Sequence, residues 1–115
     1  MSETIRLMAG EYLMREGEAS TEMYYLQSGT LAVFKRKGDA EHQIGSIMTG
    51  ELVGEMSFLD QQPRSATVKA MTDAILIQVP LEKFESTMAG MPKWFSALLH
   101  TLTERLRKAD ARIRI

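Results

Sequence analysis

The sequence predicts a mainly β fold, a small antiparallel sandwich or barrel followed by C-terminal helices. Between residues 5 and 79, short runs rich in Ile, Val, Tyr and Phe recur between glycine-bearing turns, which is typical of a small antiparallel β domain. After Val79 the spacing of apolar residues changes from two to about 3.6, which indicates helices. A chain of 115 residues suffices for one domain of ordinary size. We therefore expect a single domain over residues 1–115.

The pattern of apolar runs predicts the strands in order. They are expected at residues 5–8, 12–14, 23–27, 30–36, 43–47, 66–70 and 74–79. Between the third and fourth runs stands the pair Ser28-Gly29, and a glycine supplies the positive φ that a tight hairpin turn requires. We therefore predict a hairpin at this position.

Two helices are predicted after the strands. Pro80 suits the first turn of a short helix that ends at Gly90. Pro92 opens a longer helix, expected to reach Arg112, with apolar residues on one side. These are Phe95, Leu98, Leu99, Leu102, Leu106, Ala109 and Ile113. Because no capping glycine follows, we expect this helix to continue past Ile115 toward a downstream effector domain; a self-standing receptor that signals through a partner protein is the alternative.

Composition and charge exclude several classes of function. With 44% hydrophobic and 25% charged residues, the chain is not disordered. A formal net charge of −1 creates no global field for nucleic acid or an anionic membrane, so an anionic ligand needs a local site. The absence of cysteine excludes disulfides and thiolate sites. With no membrane span or signal peptide in the sequence, and too little chain after Leu106 for a helix-turn-helix domain, we expect a cytoplasmic protein that contacts neither membrane nor nucleic acid.

The segment at residues 50–70, GELVGEMSFLDQQPRSATVKA, contains the residues suited to ligand binding. Two Gly-Glu pairs precede an apolar stretch at residues 56–59, long enough for about one helical turn, whose free N–H groups attract anions. Pro63 fixes the chain before Arg64, whose planar guanidinium fits two phosphate oxygens. The Glu55 carboxylate suits sugar hydroxyls. Together these residues fit a ligand that contains both a phosphate and a ribose.

This segment resembles the phosphate-binding cassette of the cyclic nucleotide-binding domain family. The resemblance extends over nearly the whole chain, because residues 15–18 (Arg-Glu-Gly-Glu), the hairpin at residues 25–29 and the two closing helices also follow the family order. It implies an eight-stranded antiparallel jelly-roll-like barrel at about residues 5–79, with the cassette at 50–70 and helices at about 80–115. One departure is that residues 17–21 lack the second glycine common in that turn, which changes the turn and leaves the cassette intact.

The resemblance also implies a function: a regulatory sensor, without catalysis or a cofactor, that binds a 3′,5′-cyclic purine nucleotide. The ligand residues carried over are Gly54, Glu55, Met56, Ser57, Arg64, Ser65 and Ala66. Arg64 would pair with the cyclic phosphate, and Ser65 and Ala66 would offer it backbone N–H groups. Glu55 would accept a hydrogen bond from the ribose 2′-hydroxyl, with its neighbours presenting backbone. The C-terminal helix would move on binding, relay the signal to an effector domain or partner, and form a homodimer.

Each candidate residue also has a purely structural interpretation. Arg64 would form a surface ion pair with Asp60, and Glu55 would stabilise a helix N-terminus. The order and spacing of the cassette residues favour the ligand roles. The methionines, among them Met48, Met56, Met71 and Met88, are expected to fill the core rather than form a binding groove.

Other functions remain as alternatives. The same fold would serve as a structural or dimerisation module without a ligand. A hydroxyl residue directly after the arginine, here Ser65, is associated in the family with guanine recognition, so a cGMP-selective sensor competes with the favoured cAMP sensor. A metal-dependent jelly-roll enzyme of the cupin type is disfavoured, because His42 and His100 are too few to supply its ligands.

Overall fold

The computed structural model describes residues 3–109, in which short strands separated by turns precede the helices. This part of the chain forms eight strands and three helices. The strands are β1 Glu3–Leu7, β2 Tyr12–Met14, β3 Glu22–Ser28, β4 Leu31–Lys37, β5 Ala40–Ile47, β6 Leu52–Val53, β7 Thr67–Ala70 and β8 Ala74–Pro80. The helices are α1 Glu55–Asp60, α2 Leu81–Ala89 and α3 Lys93–Ala109.

The strands form two four-stranded antiparallel sheets, in the orders β1-β8-β3-β6 and β2-β7-β4-β5. Apolar side chains from both sheets meet in one core. Its fully buried members include Leu26, Leu31, Val33, Val53, Val68 and Leu76. The eight-stranded antiparallel jelly-roll-like fold with C-terminal helices is therefore confirmed, although the strands lie in two separate sheets rather than a continuously bonded barrel.

Every strand predicted from the apolar pattern overlaps an observed strand, with ends that differ by up to three residues. The pattern missed β6, because two residues between Gly-Glu pairs are too few to show an alternation. Gly29 has the positive φ expected of the predicted hairpin, at 103°. A Cβ there would also lie 2.5 Å from the Asp73 carbonyl oxygen, so close approach of the backbone requires glycine as well.

Both closing helices begin at the predicted signals, and α2 also ends at the predicted one. Helix α2 follows Pro80 and is capped by Gly90, and α3 begins directly after Pro92. The predicted extension of α3 through residues 110–112 lies outside the described residues, as does Ile113.

The apolar side of α3 consists of two rows of residues that differ in exposure. Phe95 and Leu99 are partly buried, and Thr103 in line with them is buried. Leucines in the neighbouring row are exposed: Leu98 at 45%, Leu102 at 47% and Leu106 at 43%. The sequence predicted a single stripe, whereas in the structure the inner row is buried or partly buried and the outer row is exposed. We call this outer row the α3 leucine row.

The expectation that methionines fill the core is wrong for two of those named. Met48 and Met71 lie in turns at one end of the sandwich and are 55% and 50% exposed. Met88 on α2 is partly buried, and the side chain of Met56 lies outside the described part of the structure. Composition cannot distinguish a methionine in a turn from one on an inward face. No helix within residues 3–109 is both long enough and apolar enough to span a membrane.

Candidate functional site

The cassette, residues 50–70, includes β6, α1 and β7. Helix α1 begins directly after Gly54, whose φ is 75°, and continues to Asp60, so the predicted turn of helix is present. Gln61 ends the helix at a positive φ of 54°, and the Gln62 N–H donates to the Ser57 carbonyl at 3.0 Å. A short helix closed at both ends by left-handed residues returns the chain toward Arg64.

The Arg64 side chain lies inside this loop and is 3% exposed. Its Nη1 donates to the Gly54 carbonyl at 3.2 Å and to the Ser57 hydroxyl at 3.3 Å. Its Nη2 donates to the Glu22 carbonyl on β3 at 2.5 Å. The guanidinium is therefore held by both the cassette and a strand of the sandwich, rather than lying at the surface as an exposed ion pair would require.

Burial changes the pKa of the Arg64 side chain. It lowers the pKa of Arg64 from its ordinary value, while Tyr24, Glu22 and Glu18 nearby act in the opposite direction. An arginine nevertheless stays protonated at neutral pH, because a guanidinium has the highest pKa of the ionisable side chains. The site therefore contains a permanent, desolvated positive charge, and such a charge attracts an anion more strongly than a solvated one does.

The backbone of Arg64 is fixed to the turn between β2 and β3. The Arg64 N–H donates to the Glu18 carbonyl at 2.8 Å, and the Gly17 N–H donates to the Arg64 carbonyl at 2.8 Å. The turn itself is closed by the Arg15 N–H, which donates to the Glu18 carboxylate at 2.7 Å. Although residues 17–21 lack the second glycine, the turn is hydrogen-bonded to the cassette, and the cassette is intact, as predicted.

Gly54 is packed directly against the arginine. A Cβ at this position would lie 3.1 Å from the Met14 methyl group and closer still to Nη1 of Arg64. The fully buried Ser57 hydroxyl donates to the Gly54 carbonyl at 3.3 Å. Gly54, Ser57 and Arg64, which belong to the predicted set of ligand residues, therefore form one contact group.

Ser65 and Ala66 follow Arg64 directly, and the hydroxyl group of Ser65 is in an unusual environment. The Ser65 hydroxyl oxygen is buried and has no hydrogen-bond partner within the described residues. Ala66 is 2% exposed. A buried polar atom without a partner is uncommon in folded proteins and calls for an explanation such as a bound ligand. Glu55, the first residue of α1, is partly buried, and the side chain of Met56 is outside the described part of the structure.

Three residues near the cassette escaped sequence reasoning. The Tyr24 hydroxyl donates to the Glu22 carboxylate at 3.1 Å, and its ring centre lies 6.0 Å from the Arg64 guanidinium carbon. Burial, together with Glu22, raises the pKa of Tyr24 well above its ordinary value. Lys35 donates from Nζ to the Ser65 carbonyl at 2.6 Å. Strand alternation was the sequence signal for all three. It places Glu22 and Tyr24 on the face of β3 that carries the buried Leu26. It likewise places Lys35 on the face of β4 that carries the buried Leu31 and Val33.

The cassette also contacts the closing helices. Phe58 of α1 is 1% exposed, and its ring packs edge-on against Phe84 of α2 with centroids 5.4 Å apart. A cavity of about 420 Å³ lies between the helices, lined in part by Leu59 of α1 and by Leu99 and Thr103 of α3. A movement of α1 would therefore change the packing of both closing helices. Among residues 3–109, no group of three or more His, Asp or Glu side chains is placed to hold a metal ion.

Comparison with known proteins agrees with this geometry. A sequence model described as the cyclic nucleotide-binding domain matches residues 4–90. The cyclic AMP receptor protein of Thermus thermophilus is 31% identical over 102 residues, which is 88% of this chain and 47% of that protein. The cAMP-dependent protein kinase regulatory subunit of Emericella nidulans is 32% identical over 83 residues, covering 72% and 20%. A lysophospholipase of Cryptococcus neoformans is 28% identical over 104 residues, covering 90% of the chain and 6% of the enzyme.

Solved structures show the same fold. The cAMP-bound form of the EAL enzyme Bd1971 superposes with a TM-score of 0.77 at 27% identity, covering 93% of this chain and 29% of that one. Its cGMP-bound form gives a TM-score of 0.79 at 26% identity, with the same coverage. The chain spans less than half the length of each of these proteins.

Proposed function

Because the chain belongs to the cyclic nucleotide-binding domain family, we propose that it is a non-catalytic sensor module whose ligand is cAMP. The observation that carries this proposal is the buried Arg64 guanidinium, 3% exposed and held against Gly54 inside the cassette. A desolvated permanent cation beside a backbone loop is suited to a ligand with a single negative charge, such as a cyclic phosphodiester. The relatives that share the domain include a receptor protein and a kinase regulatory subunit named for cAMP.

In this proposal the phosphate is bound by Arg64 together with the backbone N–H groups of Ser65 and Ala66. The buried Ser65 hydroxyl, which has no partner in the described structure, would gain one from the ligand. Glu55 accepts a hydrogen bond from the ribose 2′-hydroxyl. Its neighbours Gly54, Met56 and Ser57 present backbone along the same face of the ligand.

Glu55→Gln is expected to weaken cAMP binding by about 1 to 2 kcal/mol, because a neutral acceptor replaces a charged one of the same shape. The loss should shrink when 2′-deoxy-cAMP is the ligand, since the hydroxyl that Glu55 serves is absent. Calorimetric titration of both proteins with both ligands measures the two losses. Equal losses would mean that Glu55 acts through the fold and not through the ribose.

The base preference depends on Ser65. We expect cAMP to bind more tightly than cGMP, with the Ser65 hydroxyl the group that would favour guanine. Ser65→Ala should then weaken cGMP binding more than cAMP binding, which competition against a labelled cyclic nucleotide measures. A tenfold or larger preference of the native chain for cGMP would instead identify it as a cGMP sensor, the alternative function.

We further propose that α3 relays binding to an effector domain or partner. The support is the contact of Phe58 with Phe84, the cavity beside Leu99, and the exposed α3 leucine row, which needs another surface. A second copy of α3 would provide that surface in a homodimer. The same row would serve a dimerisation module that binds no nucleotide, so the relay needs its own test.

Hydrogen exchange of backbone amides at residues 98–109 should slow when saturating cAMP is added, because a ligand shifts a helix only through different affinities for its two arrangements. Leu106→Asp should reduce both this protection and self-association. Thr101→Asp makes the same change in charge at an exposed position of the same helix and serves as the control. If exchange in α3 is unchanged while cassette amides become protected, α3 is a static cap and the relay is wrong.

A further inference from the structure

A lysine from β4 reaches the cassette at the peptide between Ser65 and Ala66. Lys35 Nζ donates to the Ser65 carbonyl at 2.6 Å in a partly buried environment. Side chains alternate along a strand, so Lys35 shares its face with Leu31 and Val33, which are fully buried. Lys35 is therefore the next residue of β4 after Val33 on the inward face, and it lies near the end of β4 that is close to the cassette.

The hydrogen bond from Lys35 also fixes the orientation of the Ser65–Ala66 peptide group. A trans peptide is planar, and its C=O and N–H point in opposite directions. No cis peptide occurs in the described chain. Fixing the Ser65 carbonyl toward Lys35 therefore fixes the Ala66 N–H to point away from Lys35. A cation on the carbonyl oxygen also polarises the amide, which makes its N–H a stronger donor.

The surrounding contacts leave this peptide little freedom. Arg64 immediately before it is paired through its backbone with Gly17 and Glu18 at 2.8 Å. Thr67 immediately after it accepts a hydrogen bond from the Glu16 N–H at 2.9 Å and opens β7. The peptide is anchored on both sides, and Lys35 holds the orientation of the group between the anchors.

We propose that Lys35 is a positioning residue of the ligand site, which acts through the Ser65–Ala66 peptide to aim the Ala66 N–H at the phosphate. This inference rests on the proposed function, because it takes the Ala66 N–H as a phosphate donor. It predicts that the site discriminates between the two exocyclic phosphate oxygens, since the oriented N–H serves one of them. An ammonium that merely added positive charge would act on both oxygens alike.

The test compares Lys35→Met, which keeps the aliphatic stem, with Lys35→Arg, which restores a cationic donor. Lys37→Met is the matched control, because Lys37 ends the same strand with an exposed side chain. Lys35→Met should weaken cAMP binding by about 3- to 10-fold, and Lys35→Arg should recover most of the affinity. Lys37→Met should bind as the native chain does.

The specific readout is the ratio of affinities for the Rp and Sp phosphorothioate analogues of cAMP. Sulfur is a weaker acceptor than oxygen, so the ratio reports which phosphate oxygen receives the oriented N–H. The ratio should move toward one in Lys35→Met and return in Lys35→Arg, and the amide resonance of Ala66 in the ligand-free protein should shift in parallel. Thermal unfolding of each variant verifies that the domain is folded, and Lys35→Gln replaces Lys35→Met if the latter is not.

Two results would overturn the proposal while leaving the sensor function in place. One is unchanged cAMP affinity in a folded Lys35→Met or Lys35→Gln protein. The other is an equal loss for cAMP and both phosphorothioates with an unmoved Ala66 resonance, which would assign Lys35 to bulk charge or general stability. Failure of the native chain to bind any cyclic nucleotide is a different outcome, which refutes the proposed function and this inference with it.

Discussion

Arg64→Ala is expected to weaken the binding of cAMP by at least about 30-fold, because removing one partner of a buried charge pair costs about 2 to 5 kcal/mol. The side chain is 3% exposed, so its truncation would leave a bound phosphate in a poorly solvated place without a compensating charge. Isothermal titration of the native chain and the variant measures the difference directly. An unchanged dissociation constant in a folded variant would refute the assignment of Arg64 to the phosphate.

Two further variants separate the charge of Arg64 from its role in holding the cassette. Its side chain donates to Gly54, Ser57 and Glu22, so truncation also frees those groups. Arg64→Lys keeps the charge without the planar fork and should bind with intermediate affinity. Arg36→Ala removes an exposed arginine of β4 and should leave binding unchanged.

Gly54→Ala is expected to reduce the free energy of unfolding by about 2 to 5 kcal/mol. Left-handed backbone at a φ of 75° contributes about 1 to 2 kcal/mol of strain with an alanine there. The added methyl also overlaps the Arg64 guanidinium, and overpacking of this kind costs about 1 to 3 kcal/mol. Denaturant unfolding monitored through Trp94 or by circular dichroism provides the measurement.

Gly38→Ala is the matched control for this substitution. Gly38 lies between β4 and β5 with a φ of 66°, and a Cβ there would meet nothing within 4 Å. It shares the backbone strain of Gly54 without the collision. We expect Gly54→Ala to be the more destabilising of the two and the only one to weaken cAMP binding; equal effects would contradict the proposed contact between Gly54 and Arg64.

Sequence reasoning located the cassette because its residues lie close together along the chain. Gly54, Ser57 and Arg64 fall within one short segment, and the resemblance of that segment to the family cassette predicted that they share a site. The residues that complete the arginine's surroundings come from elsewhere: Glu22 is 42 positions from Arg64, and Lys35 is 30 positions from Ser65. Such contacts depend on which strands become neighbours, and the apolar pattern of a single strand does not contain that information.

The same distinction between local sequence patterns and contacts of distant residues applies to the strands and helices outside the site. Strands and helices with several apolar residues and clear end signals, such as α2 between Pro80 and Gly90, were predicted nearly to the residue. The two-residue β6 was missed, and the exposed Met48 and Met71 were wrongly placed in the core. The division of the α3 stripe into inner and outer rows depends on how α3 packs against α1, which helical periodicity does not determine.

Calorimetric titration of the chain with cAMP, cGMP and a cyclic dinucleotide is the most direct test of the proposed sensor function, because it measures ligand binding without assuming any residue's role. We expect saturable binding of one cAMP per chain, weaker binding of cGMP and no binding of the dinucleotide, which has two phosphates where the cassette presents a single arginine. Absence of binding for all three ligands, with the domain shown to be folded, would contradict the proposed sensor function.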